Sequence, residues 1–162
     1  MTKEKTTPEA GIIDLASLDT ATASDADAKV PILHPTSKEP IGINIKVLGK
    51  HSTIFRELVR ERINNRIKME SQAAKRGKTV DPRTAEQVEQ EALEMLVACT
   101  MDWETEIKNE KGEIVETKPT VFFEGQHLPF SAQNALLVYS RMLWMREQVD
   151  NAIGDLENFI PA

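Results

Sequence analysis

Thr84-Ala-Glu-Gln-Val-Glu-Gln-Glu-Ala-Leu-Glu-Met-Leu-Val-Ala-Cys-Thr-Met-Asp-Trp103 decides the fold, because it announces a helix at one end and a change of pattern at the other. Thr84-Ala-Glu-Gln87 is a capping-box sequence, in which hydroxyl and amide side chains each accept a hydrogen bond from the other's backbone N–H. Val88, Ala92, Met95/Leu96, Cys99 and Trp103 then recur at three- and four-residue steps, which predicts one buried helical stripe running to Trp103. Beyond Trp103 that spacing stops. Glu104–Lys108 and Glu113–Thr117 flank the turn residues Asn109-Glu-Lys-Gly112 and read as a hairpin. A chain that switches from helical to strand periodicity in this way belongs to the α+β class.

Upstream, Lys78–Arg83 is a short polar connector containing Asp81-Pro82, so the preceding helix should pack back antiparallel. That helix runs from Ser52 or Thr53, either of which can cap it, to Arg76, with Gly77 as its C-terminal stop. Phe55, Leu58/Val59, Ile63, Ile67 and Ala74 mark its apolar face, and Arg56, Arg60, Arg62, Arg66 and Lys68 fall largely elsewhere. Before it, Val30-Pro-Ile-Leu33 and Ile41–Leu48 read as two strands joined by the turn-rich His34–Pro40. Ile41, Ile43, Ile45 and Val47 alternate with Gly42, Asn44, Lys46 and Leu48 to give one apolar face, and Pro31 confines the first strand to an edge.

Downstream, Thr120–Phe123 and Gln126–Phe130 flank Glu124-Gly125 and predict a second, tighter hairpin. Ser131 caps a C-terminal helix reaching Arg141 or beyond, with Leu136, Tyr139, Met142 and Leu143 on one face. Val149, Ile153, Leu156 and Ile160 continue at helical spacing, and Gly154 permits a weak point or close packing there. The expected architecture is therefore α+β and mainly helical: an N-terminal β-hairpin, an antiparallel helix pair, a small second β segment and a C-terminal helix. Residues 30–162 form its single domain. Residues 1–29 contain no aromatic residue and are rich in Thr, Ala, Asp and Ser, which predicts a largely disordered acidic tail. Within it, Ile12, Leu15 and Leu18 recur at helical spacing, as a docking peptide or as a strap over the domain's own core.

At 162 residues, 40% hydrophobic and 28% charged, the chain suits one ordinary soluble domain. Gly125–Ser140, the longest stretch without a charged residue, contains Gln, His, Pro, Ser and Asn, which excludes a membrane span. The first residues lack the apolar run of a signal peptide, which predicts a cytoplasmic location. A lone cysteine, Cys99, excludes an internal disulfide. Charge is segregated along the chain. Residues 52–83 carry nine basic and four acidic groups, net +5, and residues 84–124 carry three basic and eleven acidic groups, net −8. Two elements lying against each other would account for this, as would a docking surface for a charged partner; the helix-pair reading favours the first.

Groups able to do covalent chemistry are scattered. His34, His51 and His127 match no metal-ligand spacing, and Cys99 sits among apolar neighbours as a small buried hydrophobe. Asp150, Asp155 and Glu157 read as a solvated helix face, and no glycine-rich phosphate loop occurs. Neither a catalytic residue nor a cofactor or metal is predicted. The basic helix over residues 52–78 could follow a phosphate backbone, but Glu57 and Glu61 interrupt it and no aromatic residues are interleaved for stacking. The aromatics lie in the second half, and Tyr139, Met142, Trp144, Met145 and Phe159 are the candidate protein-binding residues.

Several stretches are familiar as a set. His34-Pro35, Glu39-Pro-Ile-Gly42, Val47-Leu-Gly-Lys50 and Ala73-Ala-Lys-Arg-Gly77 are joined in the second half by Trp103, Phe130-Ser131-Ala-Gln-Asn134 and the run from Trp144 to Phe159. Over residues 12–160 the chain resembles the tail assembly chaperones of tailed bacteriophages and prophages. The resemblance implies a non-enzymatic role in the host bacterial cytoplasm. Such proteins coat the tape-measure protein, help recruit tail-tube subunits and leave before the virion matures. Two other readings stay open: a minor tail or connector protein retained in the virion, and a nucleic-acid-binding regulator using the basic helix. A homo-oligomer is compatible with all three.

Overall fold

The computed structural model describes residues 3–7 and 9–160. It is an α+β structure of two antiparallel sheets and five α-helices. After a 3-10 turn at Leu15–Leu18 come a short helix α1 (Thr20–Ser24) and the hairpin β1 (Ala28–Leu33) and β2 (Pro40–Val47). The helical pair α2 (Thr53–Lys75) and α3 (Ala85–Cys99) follows, and then β3 (Thr100–Lys108) and β4 (Ile114–Lys118). A second hairpin, β5 (Thr120–Phe123) and β6 (Gln126–Pro129), leads into α4 (Ala132–Arg141) and α5 (Leu143–Gly154). The four-stranded sheet has the order β1-β2-β3-β4, so the helical pair is inserted between two neighbouring antiparallel strands.

Local chemistry set many of these boundaries. Ser52 caps α2 through the Phe55 amide, and Ser131 caps α4 through the Asn134 amide. Both halves of the capping box form at Thr84 and Gln87. Glu124 and Gly125 both adopt positive φ, as the two-residue turn joining β5 to β6 requires. Pro31 lies on β1, an edge strand. Where β1 bulges after Pro31, the side-chain amide of Gln148 on α5 takes over as a strand partner. It accepts from the Leu33 N–H and donates to the Leu33 carbonyl, both at 2.8 Å.

The core lies between the four-stranded sheet and α3, α4 and α5. Ile45 is fully buried, with Val30 and Trp103 as its cross-strand neighbours, and Val47 and Ile32 are fully buried beside it. Ile41, expected on this apolar face, is more than a third exposed at the strand's outer end. Leu48, expected on the polar side, is buried because the strand ends at Val47 and the chain turns inward. On the other face Asn44 Nδ2 donates to Glu106 at 2.6 Å, and Lys29 pairs with Glu104.

Trp103 is not on the helix. The α3 helix ends at Cys99, and Thr100 is already extended (φ −88, ψ 125). A continuing helix would have the Cys99 carbonyl accept from the Trp103 N–H. Here that carbonyl accepts from the Leu48 N–H at 2.8 Å, which ties the helix end to the end of β2. The four-residue step from Cys99 to Trp103 therefore imitates a helical turn across a helix-to-strand junction. From β3 the Trp103 indole is 1% exposed, donates to the Leu128 carbonyl at 3.0 Å, and meets Phe130 edge-on at 5.4 Å.

Two further expectations need correction. The C-terminal helix is two helices, broken at Met142 (φ −94, ψ 75), so Leu143 points to solvent and is 56% exposed. Residues 1–29 are not uniformly a loose tail: from Leu15 onward they form the 3-10 turn, α1 and the start of β1. Ser24 is fully buried, and its carbonyl accepts from the Gly49 N–H at 3.1 Å.

Gly49 is the crowded point of this docking. A Cβ there would stand 2.6 Å from Ser24 Oγ, 2.9 Å from Ser24 Cβ and 3.0 Å from the Phe159 ring. Gly49→Ala should thus destabilise the fold by about 1–3 kcal/mol through overpacking. Ser24 Oγ has no hydrogen-bond partner among the described residues. Ser24→Ala, which removes an unsatisfied buried hydroxyl, should leave stability unchanged or raise it by up to ~1 kcal/mol. Urea unfolding midpoints of the two variants check both signs.

Candidate docking site on the helical arm

Most of the apolar residues that the sequence assigned to the helical pair are not in the core. Among the described residues α2 buries none of its 23 side chains, and α3 buries only Leu93, Met95, Leu96 and Cys99, all in its second half. Ala92 is exposed and Val88 is 45% exposed, so the first half of the stripe predicted for α3 faces solvent. Phe55 and Leu58 pack against the body at the base of α2. Farther along, Val59, Ile63, Ile67 and Met69 are 37–57% exposed. The pair is therefore an arm that joins the body at its base, with its outer length uncovered.

The reason lies in what fills the space between the two helices. Arg62 donates to the Glu91 carbonyl at 2.7 Å and reaches the Glu94 carboxylate at 3.5 Å. Arg66 donates to the Asp81 carbonyl at 3.3 Å and to Glu70 at 2.9 Å. Arg62 and Arg66, off the apolar stripe as expected, are thus the side chains that face α3 and the connector. Residues three to four apart share a helix face, so Ile63 and Ile67 are displaced to the neighbouring, open face. Two ion pairs, Arg62–Glu94 and Arg83–Glu91, run from the basic segment to the acidic one and support the intramolecular explanation of the segregated charge.

Between α2, the connector and the start of α3 runs an open groove of about 1440 Å³. Ile63, Ile67, Met69, Val80 and Pro82 supply its apolar lining, and Arg62, Arg66, Arg83, Glu86 and Glu91 its charged lining. Exposed apolar side chains beside a polar rim are the ordinary composition of a protein-docking surface.

The residues proposed from sequence as protein-binding do not gather into a surface. Tyr139 is fully buried, its hydroxyl 2.9 Å from Thr100 Oγ1, and burial pushes its pKa to about 12. Met145 is 3% exposed. Met142, Trp144 and Phe159 are partly buried and pack against the core. Ile63 and Ile67 were overlooked as surface because they read as the helix's buried face. Spacing gives no warning: Val59, Ile63 and Ile67 advance by four residues each time, a drift of about 40° per step that keeps all three within an ordinary apolar stripe about 100° wide.

The titratable groups are equally dispersed. His34 Nδ1 accepts from the Thr36 and Ser37 amides, His51 Nδ1 lies 2.6 Å from Thr20 Oγ1, and His127 packs on Phe122. No cluster of three potential metal ligands occurs among the described residues. Cys99 is fully buried, which pushes its thiol pKa up to about 11 and leaves it a poor nucleophile at neutral pH. Among the described residues no helix is long and apolar enough to cross a membrane. The chain matches no protein-family model, no curated protein and no solved structure.

The N-terminal segment is fastened at the base of the arm. Asp25 Oδ1 accepts from the Thr53 N–H at 2.6 Å and Oδ2 from the Thr53 hydroxyl at 2.9 Å, so one carboxylate joins α1 to the first turn of α2. These two bonds hold the Asp25 carboxyl below its ordinary pKa. A folded-state pKa below the unfolded one means the tether stabilises above the unfolded value and is lost as pH falls through the folded value. Asp25→Asn should therefore lower the unfolding midpoint at neutral pH and become indistinguishable from the parent in strong acid, as a pH series of denaturation curves would show. Ile63→Glu and Ile67→Glu should each change stability by no more than about 0.5 kcal/mol, against about 2–5 kcal/mol for Ile45→Ala in the core. Thermal unfolding of the three variants tests that contrast.

Proposed function

We propose that this chain is a tail assembly chaperone of a tailed bacteriophage, working by transient, non-covalent binding. In this reading the helical arm holds amphipathic helices of the tape-measure protein, keeps them soluble in the host cytoplasm, helps bring tail-tube subunits to them, and departs before the particle is complete. One observation carries the reading: α2 leaves Val59, Ile63, Ile67 and Met69 in solvent although its length matches that of a substantial core helix. The resemblance of residues 12–160 to that family supports it from the sequence side.

The physical economy of such a holder is straightforward. Each half-exposed Ile or Val that a partner helix covers contributes roughly 1 kcal/mol of apolar burial. A few such contacts give an association that is adequate at cellular concentrations and still reversible. Arginines along the rim would favour partner helices bearing acidic residues and disfavour basic ones. A groove that is open rather than enclosed suits a client with many similar helices better than one with a unique motif.

Co-expression with the tape-measure protein of the same phage should raise that protein's soluble yield several-fold. Ile63→Glu/Ile67→Glu should remove the gain while leaving the chaperone folded. An unchanged yield with the parent chain would count against the proposal. Mass spectrometry of purified virions supplies the second arm: stoichiometric presence would favour a retained structural tail protein instead.

A further inference from the structure

The residues just before α1 form a second apolar element that the fold leaves uncovered. Ile12, Ile13, Leu15 and Leu18 are 59%, 69%, 79% and 51% exposed, the most solvated group of large apolar side chains in the chain's first half. They sit in an acidic setting: Glu9, Asp14 and Asp19 accompany them, and no basic residue stands between Lys5 and Lys29. The arm's open stripe has the complementary character. Arg56 and Arg60 lie three residues before Val59 and Ile63 and share their face, and Arg60 has no ion-pair partner among the described residues. In helical form Ile12 to Leu18 would span about 9 Å, and Val59 to Ile67 spans about 12 Å, so the two stripes are commensurate.

The segment precedes a helix that is fastened to the base of the arm. Asp14 caps the 3-10 turn through the Ala16 N–H at 3.0 Å, and Asp19 caps α1 through the Thr22 N–H at 3.1 Å and the Thr22 hydroxyl at 2.8 Å. Asp25 and the Thr20–His51 contact then fasten α1 at the base of α2. Residues 12–18 and the Val59–Ile63–Ile67 stripe are both exposed in the single chain, so the segment does not cover its own arm.

We propose that residues 11–18 of one copy dock on the Val59–Ile63–Ile67 stripe of a second copy, in a head-to-tail contact. Each copy carries one donor segment and one acceptor stripe, so the contact repeats and produces rings or open chains rather than a symmetric pair. The inference stands on the two exposed stripes and their opposite charge, independent of any client protein. If the arm also binds a client, self-association would occlude that site until the client competes for it.

Sedimentation or light scattering of the full chain over a wide concentration range tests this, with Leu15→Glu as the donor variant and Ile63→Glu as the acceptor variant. The parent chain should grow past a dimer as concentration rises, and less so at high salt, which screens the charge contribution. Each variant alone should associate at least tenfold more weakly. An equimolar mixture should recover a single intact contact and stop at a 1:1 dimer. A synthetic peptide of residues 9–19 should dissociate the parent assembly, a readout that needs no variant. A parent chain that stays monomeric throughout would overturn the proposal, whether or not the segment straps its own arm. Full self-association of Leu15→Glu would overturn it in favour of arm-to-arm contact. A loss confined to the donor variant's self-association, with client solubilisation intact, separates this contact from the proposed function.

Discussion

The Cys99 carbonyl accepts a hydrogen bond from Leu48, at the end of β2, where a continuing helix would offer it the Trp103 N–H. That exchange ends α3 and starts β3. It also closes the loop that begins where β2 ends, since the whole helical pair lies between Leu48 and Cys99. Thr100 consolidates the junction: its hydroxyl donates to the Leu96 carbonyl at 2.7 Å and meets the Tyr139 hydroxyl, joining α3, β3 and α4 at one buried point. Buried polar groups are stable only when satisfied, and these satisfy one another. Trp103 then enters the sheet opposite Ile45, and its indole reaches across to β6.

The helical pair is left outside by the same arrangement. The body closes over its core using the second half of α3 together with α4 and α5, so the outer part of the pair has nothing further to cover. Along the arm α2 meets α3 through Arg62 on the Glu91 carbonyl, and the connector through Arg66 on the Asp81 carbonyl. An interface of this kind contributes little, because exposed ion pairs are worth a fraction of a kcal/mol to about 1 kcal/mol each. An apolar stripe that the fold does not use is available to another chain. The proposed chaperone role and the proposed head-to-tail contact both follow from that surplus.

The sequence was legible where local chemistry decides. The capping box at Thr84, the caps at Ser52 and Ser131, the two turns and the edge position of Pro31 all depend on residues within a few positions of one another. Legibility failed where a distant partner decides. Nothing near Cys99 reveals that Leu48 will take its carbonyl, so Trp103 read as helical. Nothing near Ile63 reveals that Arg62 and Arg66 will occupy the side facing α3. Tyr139 and Met145 looked like surface candidates because aromatic and Met residues suit interfaces and cores alike; only the packing of α4 and α5 on the sheet places them inside. The break at Met142, which separates those two helices, has no proline or glycine beside it to announce it.

The central claim is that the arm is peripheral to the cooperative core and keeps an apolar face in reserve. Native-state hydrogen exchange, resolved by residue on the dilute chain, measures this most directly. Amides of β2, β3 and the second half of α3 should exchange only through global unfolding, while those of α2 beyond Val59 should exchange through a local opening of much lower free energy. Protection of α2 equal to that of β2 and β3 would show that the arm belongs to the core, and would contradict the account.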